Sequence, residues 1–328
     1  MTTPAEEQGG ADRGKDERTA FGITLSIDRR LAIPGLGHSP RSATQGAPSH
    51  VRLDDGELSR RWAAATTEPD RVRELRFEET LIMSVDFAEP AGYLLWTRNC
   101  GRVLISPDGA ELLCEPNPAN ESWASIIAAQ ALPLAATIRG LEVFHASGVV
   151  LDGRALLFAG PPGAGKSSLA AALVAAGGRL LSDDAVALRL SADTLTAYPG
   201  SVVLQLRTAD DERLSAGARA ALGRPAPPAF GKPRYVSDSV PDPAPLGGLF
   251  LLERSTEEPA VEQLAAVNPF ELIASTFNLS VRTPARLQRQ LDVVSAIASG
   301  GLAYRLRRQP GRDATELAAI VQEQLLEL

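Results

Sequence analysis

The sequence predicts an α/β protein with a β-rich first region and a second region in which strands and helices alternate. Three observations predict it. From Phe21 to the stretch ELLCE, short apolar runs follow one another with turn residues between several of them. RALLFAG, a glycine loop and SSLAAALVAA then read as strand, loop and helix. LGGLFLLER (246–254) is apolar nearly throughout, as expected of a strand covered on both faces.

In chain order, residues 1–19 are polar and charged and predict a disordered tail. FGITLSI, ELRFEETLIMSVDF, YLLWT, RVLIS and ELLCE supply strands, with Pro107-Asp108-Gly109 turning between the last two. Residues 35–50 read as a Gly/Ser/Pro loop holding His38 and His50. Residues 119–139 read as a helix interrupted or kinked at Pro133, which closes a β-rich region spanning 20–139. The second region, 140–328, opens with a hairpin at Asp152-Gly153, between VFHASGVVL and RALLFAG. Residues 208–246 lack periodicity and read as loop. Three helices then carry start signals, at Asn268-Pro269-Phe270-Glu271, Thr283-Pro284 and Asp313-Ala314-Thr315-Glu316. LAYRLRR between the last two is a strand.

Composition narrows the function. The chain has 328 residues, 44% hydrophobic and 22% charged, which suits a folded globular protein. A net charge of −7 argues against a general nucleic-acid or anionic-membrane binder. Two cysteines, Cys100 and Cys114, give no disulfide framework. No apolar run is long enough for a membrane span and no signal-peptide pattern opens the chain, so a cytoplasmic protein is expected.

The chemistry centres on 160–184. Gly160-Pro161-Pro162-Gly163-Ala164-Gly165-Lys166-Ser167 fits G-x-x-x-x-G-K-[ST] at every specified position. The glycines let backbone N–H groups converge on phosphate oxygens, and the following helix adds its unpaired N-terminal donors. Pro161 and Pro162 have no N–H, so donors come mainly from Gly163, Ala164, Gly165 and beyond, with Ser168 in the helix's first turn. Lys166 would reach the β- and γ-phosphates, and Ser167 would offer a hydroxyl to Mg²⁺. The pair Asp183-Asp184 begins 17 positions after Lys166. Two carboxylates beside a triphosphate require a metal between them; one would hold Mg²⁺ and the other would accept a proton from an incoming hydroxyl. As a residue by itself, His145 reads as a partly buried histidine bonded to a neighbouring backbone group.

Together, His145-Ala-Ser-Gly-Val, the cradle 160–167 and Asp183-Asp184 resemble the kinase domain of bacterial HPr kinase/phosphorylase, with the same spacings. That family has a P-loop kinase core related to phosphoenolpyruvate carboxykinase. The resemblance implies phosphate transfer from ATP, with Mg²⁺, to a serine hydroxyl of a peptide or small protein. It implies Asp183 as general base, Asp184 and Ser167 as Mg²⁺ ligands, Lys166 on the phosphates and His145 near the reacting group. It also suggests a homo-oligomer. AYPGSVVLQLR (197–207) lacks the second signature of the regulatory enzymes, and their later Pro-Gly-Arg-Asn segment is missing, so HPr itself is not implied as the acceptor. The whole chain is more similar to divergent HPr-kinase-like proteins, some of which, such as lasso-peptide precursor kinases, occur with peptide-modification systems. For the cation that the transferring phosphoryl needs, GKPRY offers Lys232 and Arg234, with Arg207 and Arg254 behind them. Two other readings fit the same residues: a nucleotide-sensing module that transfers nothing, and a kinase of a free small molecule such as serine.

Overall fold

Two large sheets divide the chain between residues 116 and 142. The computed structural model describes residues 15–38, 46–120, 122–229, 231–277, 280–309 and 311–326. In the first sheet are β1 (Lys15–Ala20), β2 (Ile23–Asp28), β3 (Ser49–Leu53), β4 (Asp70–Phe77), β5 (Thr80–Ala88), β6 (Gly92–Thr97), β7 (Gly101–Ile105) and β8 (Glu111–Pro116). Their spatial order is β1-β2-β3-β8-β7-β6-β5-β4, with β3 parallel to β2 and β8 and the other pairs antiparallel. A short helix, α1 (Glu57–Ala63), packs on β8 through buried Leu58.

The strand expectations for this region match the structure, with three corrections. Residues 15–19 belong to β1, where they pair with β2 across a turn at Phe21-Gly22, so they are not tail; residues 1–14 lie outside the described residues. Residues 49 and 50 are strand, so His50 is not in a loop, while 39–45 of the expected loop lie outside the described residues. The expected helix 119–139 is a π-helical turn, Ile127–Ala131, followed by α2 (Leu132–Ile138). Pro133 stands in the first turn of α2, where its missing N–H costs least; the widened π turn just before it absorbs the interruption.

The second region holds β9 (Glu142–Phe144), β10 (Ala146–Leu151), β11 (Arg154–Ala159), α3 (Lys166–Ala175), β12 (Arg179–Ser182), β13 (Val186–Ser191) and β14 (Thr194–Tyr198). Next come β15 (Val203–Gln205), α4 (Thr208–Glu212), α5 (Ala216–Ala221), β16 (Arg224–Ala229), β17 (Lys232–Val236), β18 (Ala244–Arg254) and β19 (Ala260–Gln263). The chain ends with α6 (Pro269–Ala274), α7 (Pro284–Ser299), β20 (Ala303–Arg308) and α8 (Ala314–Leu326). The expected loop 208–246 therefore contains two short helices, the strands β16 and β17, which join β15 in a three-stranded sheet β15-β17-β16, and the start of β18. β16 reads RPAPPA and shifts register against β17, so it gives no alternation to detect.

β11, β18 and β20 lie side by side and parallel at the centre of the main sheet. Alternation splits them between two layers. Leu156, Phe158, Phe250 and Tyr304 meet α3 and α8 on one face, while Leu157, Ala159 and Leu249 meet α7 on the other. The strands' C-terminal ends meet at one edge, where ligands bind in open α/β sheets. A buried ion pair, Arg286 to Glu142 at 2.6 Å, fixes α7 to β9 just before His145. The two regions are not separately cored. One apolar cluster runs from Phe21, Leu25 and Leu95 through Val143 and Ala185 to Phe277.

Candidate phosphoryl-transfer site

The strand β11 ends at Ala159, and the chain then turns through the glycine loop into α3. Gly163 and Gly165 have φ of +79° and +97°, which only glycine adopts without strain. A Cβ would also displace the arginine tips that rest on the loop. A Cβ on Gly163 would stand 2.4 Å from the Arg207 guanidinium, and one on Gly165 would stand 1.9 Å from that of Arg308. Lys166, only 7% exposed, donates from Nζ to the Gly160 carbonyl at 2.9 Å. Burial pushes its pKa down, opposed by the charges of Asp184 and Asp183.

Asp183 and Asp184 follow the last residue of β12. Asp183 Oδ1 accepts hydrogen bonds from Ser167 Oγ at 2.9 Å and Ser147 Oγ at 2.5 Å, and Oδ2 accepts from the Gln205 N–H at 3.1 Å. Burial and the neighbouring charge of Asp184 push Asp183 up to about 6 in spite of these donors. Asp184 takes a left-handed φ of +67°, which sends its side chain away from its neighbour's direction. His145 Nδ1 lies 2.9 Å from the Asp184 carbonyl oxygen and so is the protonated nitrogen that donates to it. Burial and Lys166 lower the His145 pKa, which keeps the ring neutral.

The glycine loop and the acidic pair therefore meet: Ser167 is bonded to Asp183, and Asp184 lines the same cavity as Ser167. Strand continuation aims Asp183 at the start of α3, and the left-handed turn diverts Asp184. Asp184 lines a cavity of 620 Å³ together with His145, Lys166, Ser167 and Lys232. It also lines a second, 30 Å³ crevice shared with Asp183 and Arg234. The two cations expected from GKPRY thus part: Lys232 faces the large cavity and Arg234 does not. The cavity continues past Ser168 to an apolar floor at Leu214, Ala218 and Leu317. Its volume is ample for a nucleotide.

The sequence reading missed Arg308, Ser147 and Gln205. Arg308 ends β20 beside Arg254, which ends β18, and both guanidinium groups lie on the loop. Arg308 donates to the Ala164 carbonyl at 2.6 Å, and Arg254 to that of Gly163 at 3.0 Å. Adjacent parallel strands that end in arginine at the cradle's edge were the available signal. Ser147 lay inside the quoted His-Ala-Ser run, two positions after His145.

The donor set suits a hard cation. The hydroxyl of Ser167 and the carboxylate of Asp183 give adjacent oxygen ligands, as Mg²⁺ prefers. Among the described residues no cluster of three or more His, Cys, Asp and Glu forms a metal site, so phosphate and water oxygens would complete the shell. No helix is long and apolar enough to cross a membrane, among the described residues.

No family model matches the chain, and no curated protein matches it. Among solved structures, the Hpr(Ser) kinase/phosphatase from Coxiella burnetii is similar at 14% identity and a TM-score of 0.32, over 57% of this chain and 97% of that one. The relationship is distant, and the chemistry has to stand on the residues themselves.

Proposed function

We propose that the chain is a Mg²⁺-dependent phosphotransferase that moves the γ-phosphoryl of a nucleoside triphosphate, ATP in the first instance, to a hydroxyl. A serine of a peptide or small protein is the acceptor in this reading. One observation carries it: the contact of Ser167 Oγ with Asp183 Oδ1 at the start of α3, directly after the glycine loop. It supports a metal-bearing phosphate cradle with a second carboxylate alongside.

The two aspartates exchange the roles expected from the sequence. Asp183, already bonded to Ser167, Ser147 and Gln205, is the Mg²⁺ residue. Bound Mg²⁺ would neutralise charge on the phosphates. Asp184, which faces both the cavity and the crevice, is the base. The acceptor hydroxyl oxygen bonds to the γ-phosphorus as the bond to the β–γ bridging oxygen breaks. The hydroxyl proton passes to the Asp184 carboxylate, and the nucleoside diphosphate leaves. Neutral His145 holds the Asp184 backbone in its turn and lines the cavity beside it. Lys166, Arg308 and Lys232 neutralise the phosphoryl oxygens.

The test is Asp184→Asn, assayed by mass spectrometry of serine peptides after incubation with ATP and Mg²⁺. Transfer should fall by about 10²–10⁴-fold, the usual worth of a positioned base, with ATP affinity kept. Wild-type transfer rates in that variant would refute the base assignment.

A further inference from the structure

The crevice behind the aspartate pair opens a second approach to Asp184, away from the nucleotide cavity. Asp183, Asp184, Gln205 and Arg234 line it together with Ser125 and Ala129 of the first region. Asp184 lines this crevice as well as the large cavity, so a group entering here meets the same carboxylate that borders the proposed nucleotide site.

Arg234 is the unusual member. It is 8% exposed, its Nε has no hydrogen-bond partner among the described residues, and no carboxylate among them forms an ion pair with it. Burial lowers its pKa, with no opposing acidic neighbour. A buried guanidinium without an anion is costly, and one retained in a folded chain points to an anion supplied from outside. Asp183, which also lines the crevice, is already committed to Ser147, Ser167 and Gln205. Gln205 stands opposite Arg234 in the β15–β17 register, so the strand pair that holds Asp183 also presents the guanidinium.

We propose that this crevice is the acceptor site, and that it takes an acceptor whose hydroxyl is accompanied by a carboxylate, which Arg234 reads. The proposal rests on the phosphotransfer reading and deepens it. The guanidinium fork matches a planar carboxylate in two parallel hydrogen bonds. At 30 Å³ the space admits only the small polar ends of an acceptor, whose body lies outside it, and excludes a nucleobase. The first region then has a catalytic task, since its π-helical turn lines the crevice together with Arg234.

Three sources offer this chemistry, and paired probes separate them: L-serine against L-serinamide, a peptide ending in free serine against its amide, and an internal Ser-Asp peptide against Ser-Asn. Binding is measured by calorimetry on the full chain with Mg²⁺ and a non-hydrolysable ATP analogue. At least one carboxylate probe should bind more tightly than its neutral partner. Arg234→Met should erase that preference, weakening the carboxylate probe about 10- to 100-fold and leaving analogue affinity unchanged. Arg234→Met should also melt no lower than wild type, because it removes an unpaired buried charge; a purely structural arginine would show the opposite. Ala129→Leu, which fills the crevice from the first region, should block the probe without affecting the analogue. Equal binding of all charged and neutral pairs to wild type, or a preference that survives Arg234→Met, overturns the proposal. Carboxylate-selective binding through Arg234 with no phosphate moved would instead sink the phosphotransfer reading, and with it the acceptor role, leaving a carboxylate-binding site.

Discussion

Asp183 is held in a form that the folded chain disfavours, and Asp183→Asn makes that measurable. Its carboxyl titrates at about 6 rather than 3.8, because burial and Asp184 oppose the charge. A folded pKa above the unfolded one gives stability that is present at low pH and lost as pH rises. The loss begins near 3.8 and is complete above about 6. Roughly two pH units at about 1.4 kcal/mol each set an upper bound of about 3 kcal/mol at pH 8. Asparagine carries no charge, so it escapes this cost. Its amide cannot accept from Ser147, Ser167 and Gln205 together, and one mismatched hydrogen bond returns about 1 kcal/mol. The variant should therefore be about 2 kcal/mol more stable than wild type at pH 8, or about 4 °C in melting temperature, with the gap narrowing towards pH 5. Adding Mg²⁺ should raise the wild-type midpoint and leave the variant unmoved, since only ionised Asp183 gives the metal a counter-charge. Differential scanning fluorimetry at pH 5 and 8, with and without Mg²⁺, reads all four states. An Asp183→Asn variant that melts below wild type at pH 8, or that responds equally to Mg²⁺, would refute the reasoning.

Arg308→Met removes a guanidinium from the rim of the cradle. It should cut transfer by about 10²–10³-fold while changing nucleotide affinity far less, as single-turnover kinetics beside analogue titration would show. Arg286→Met leaves Glu142 buried without its partner and should cost about 3–5 kcal/mol by urea melts, while Glu142→Gln with Arg286→Met should recover much of that. Burial already raises Glu142 to about 7 despite Arg286. Losing the arginine raises it further, so the single variant should be less destabilised at pH 5 than at pH 8.

The central layer was legible because its residues repeat one signal. Leu156 to Ala159 and Leu249 to Leu252 are apolar at every position, as a strand covered on both faces requires. The glycine loop was legible because its turn takes positive φ at Gly163 and Gly165, which favours glycine there. What escaped has no local signature. β16 and β17 are held by pairing with each other and with β15, and β16 carries three prolines. The different directions of the two aspartate side chains escaped for a related reason. Adjacent residues look alike in sequence, and the left-handed φ of Asp184 is set by the backbone around it, including His145 on its carbonyl. Arg308 is distant in sequence from the loop it covers, and only the β18–β20 register brings it there.

The cations around the cradle explain how an acidic chain can recruit a polyanion without rebuilding its loop. Net charge is −7, yet Lys166, Arg254 and Arg308 all point at the same turn. Each rests on a carbonyl of the loop itself: Gly160, Gly163 and Ala164. Hydrogen bonds to neutral carbonyls are weaker than those to ionised oxygens by about a factor of two. A triphosphate in the loop would therefore outcompete the carbonyls for the same donors, and the side chains need only swing while the backbone stays. In the proposed complex the free N–H groups of the loop would take the phosphates, while the Ala164 N–H is already bonded to the Pro161 carbonyl. The cost of assembling positive charge is met before binding, by contacts that the ligand then replaces. This is why the glycines matter twice: they set the curl, and they leave room for Arg207 and Arg308 to lie against it.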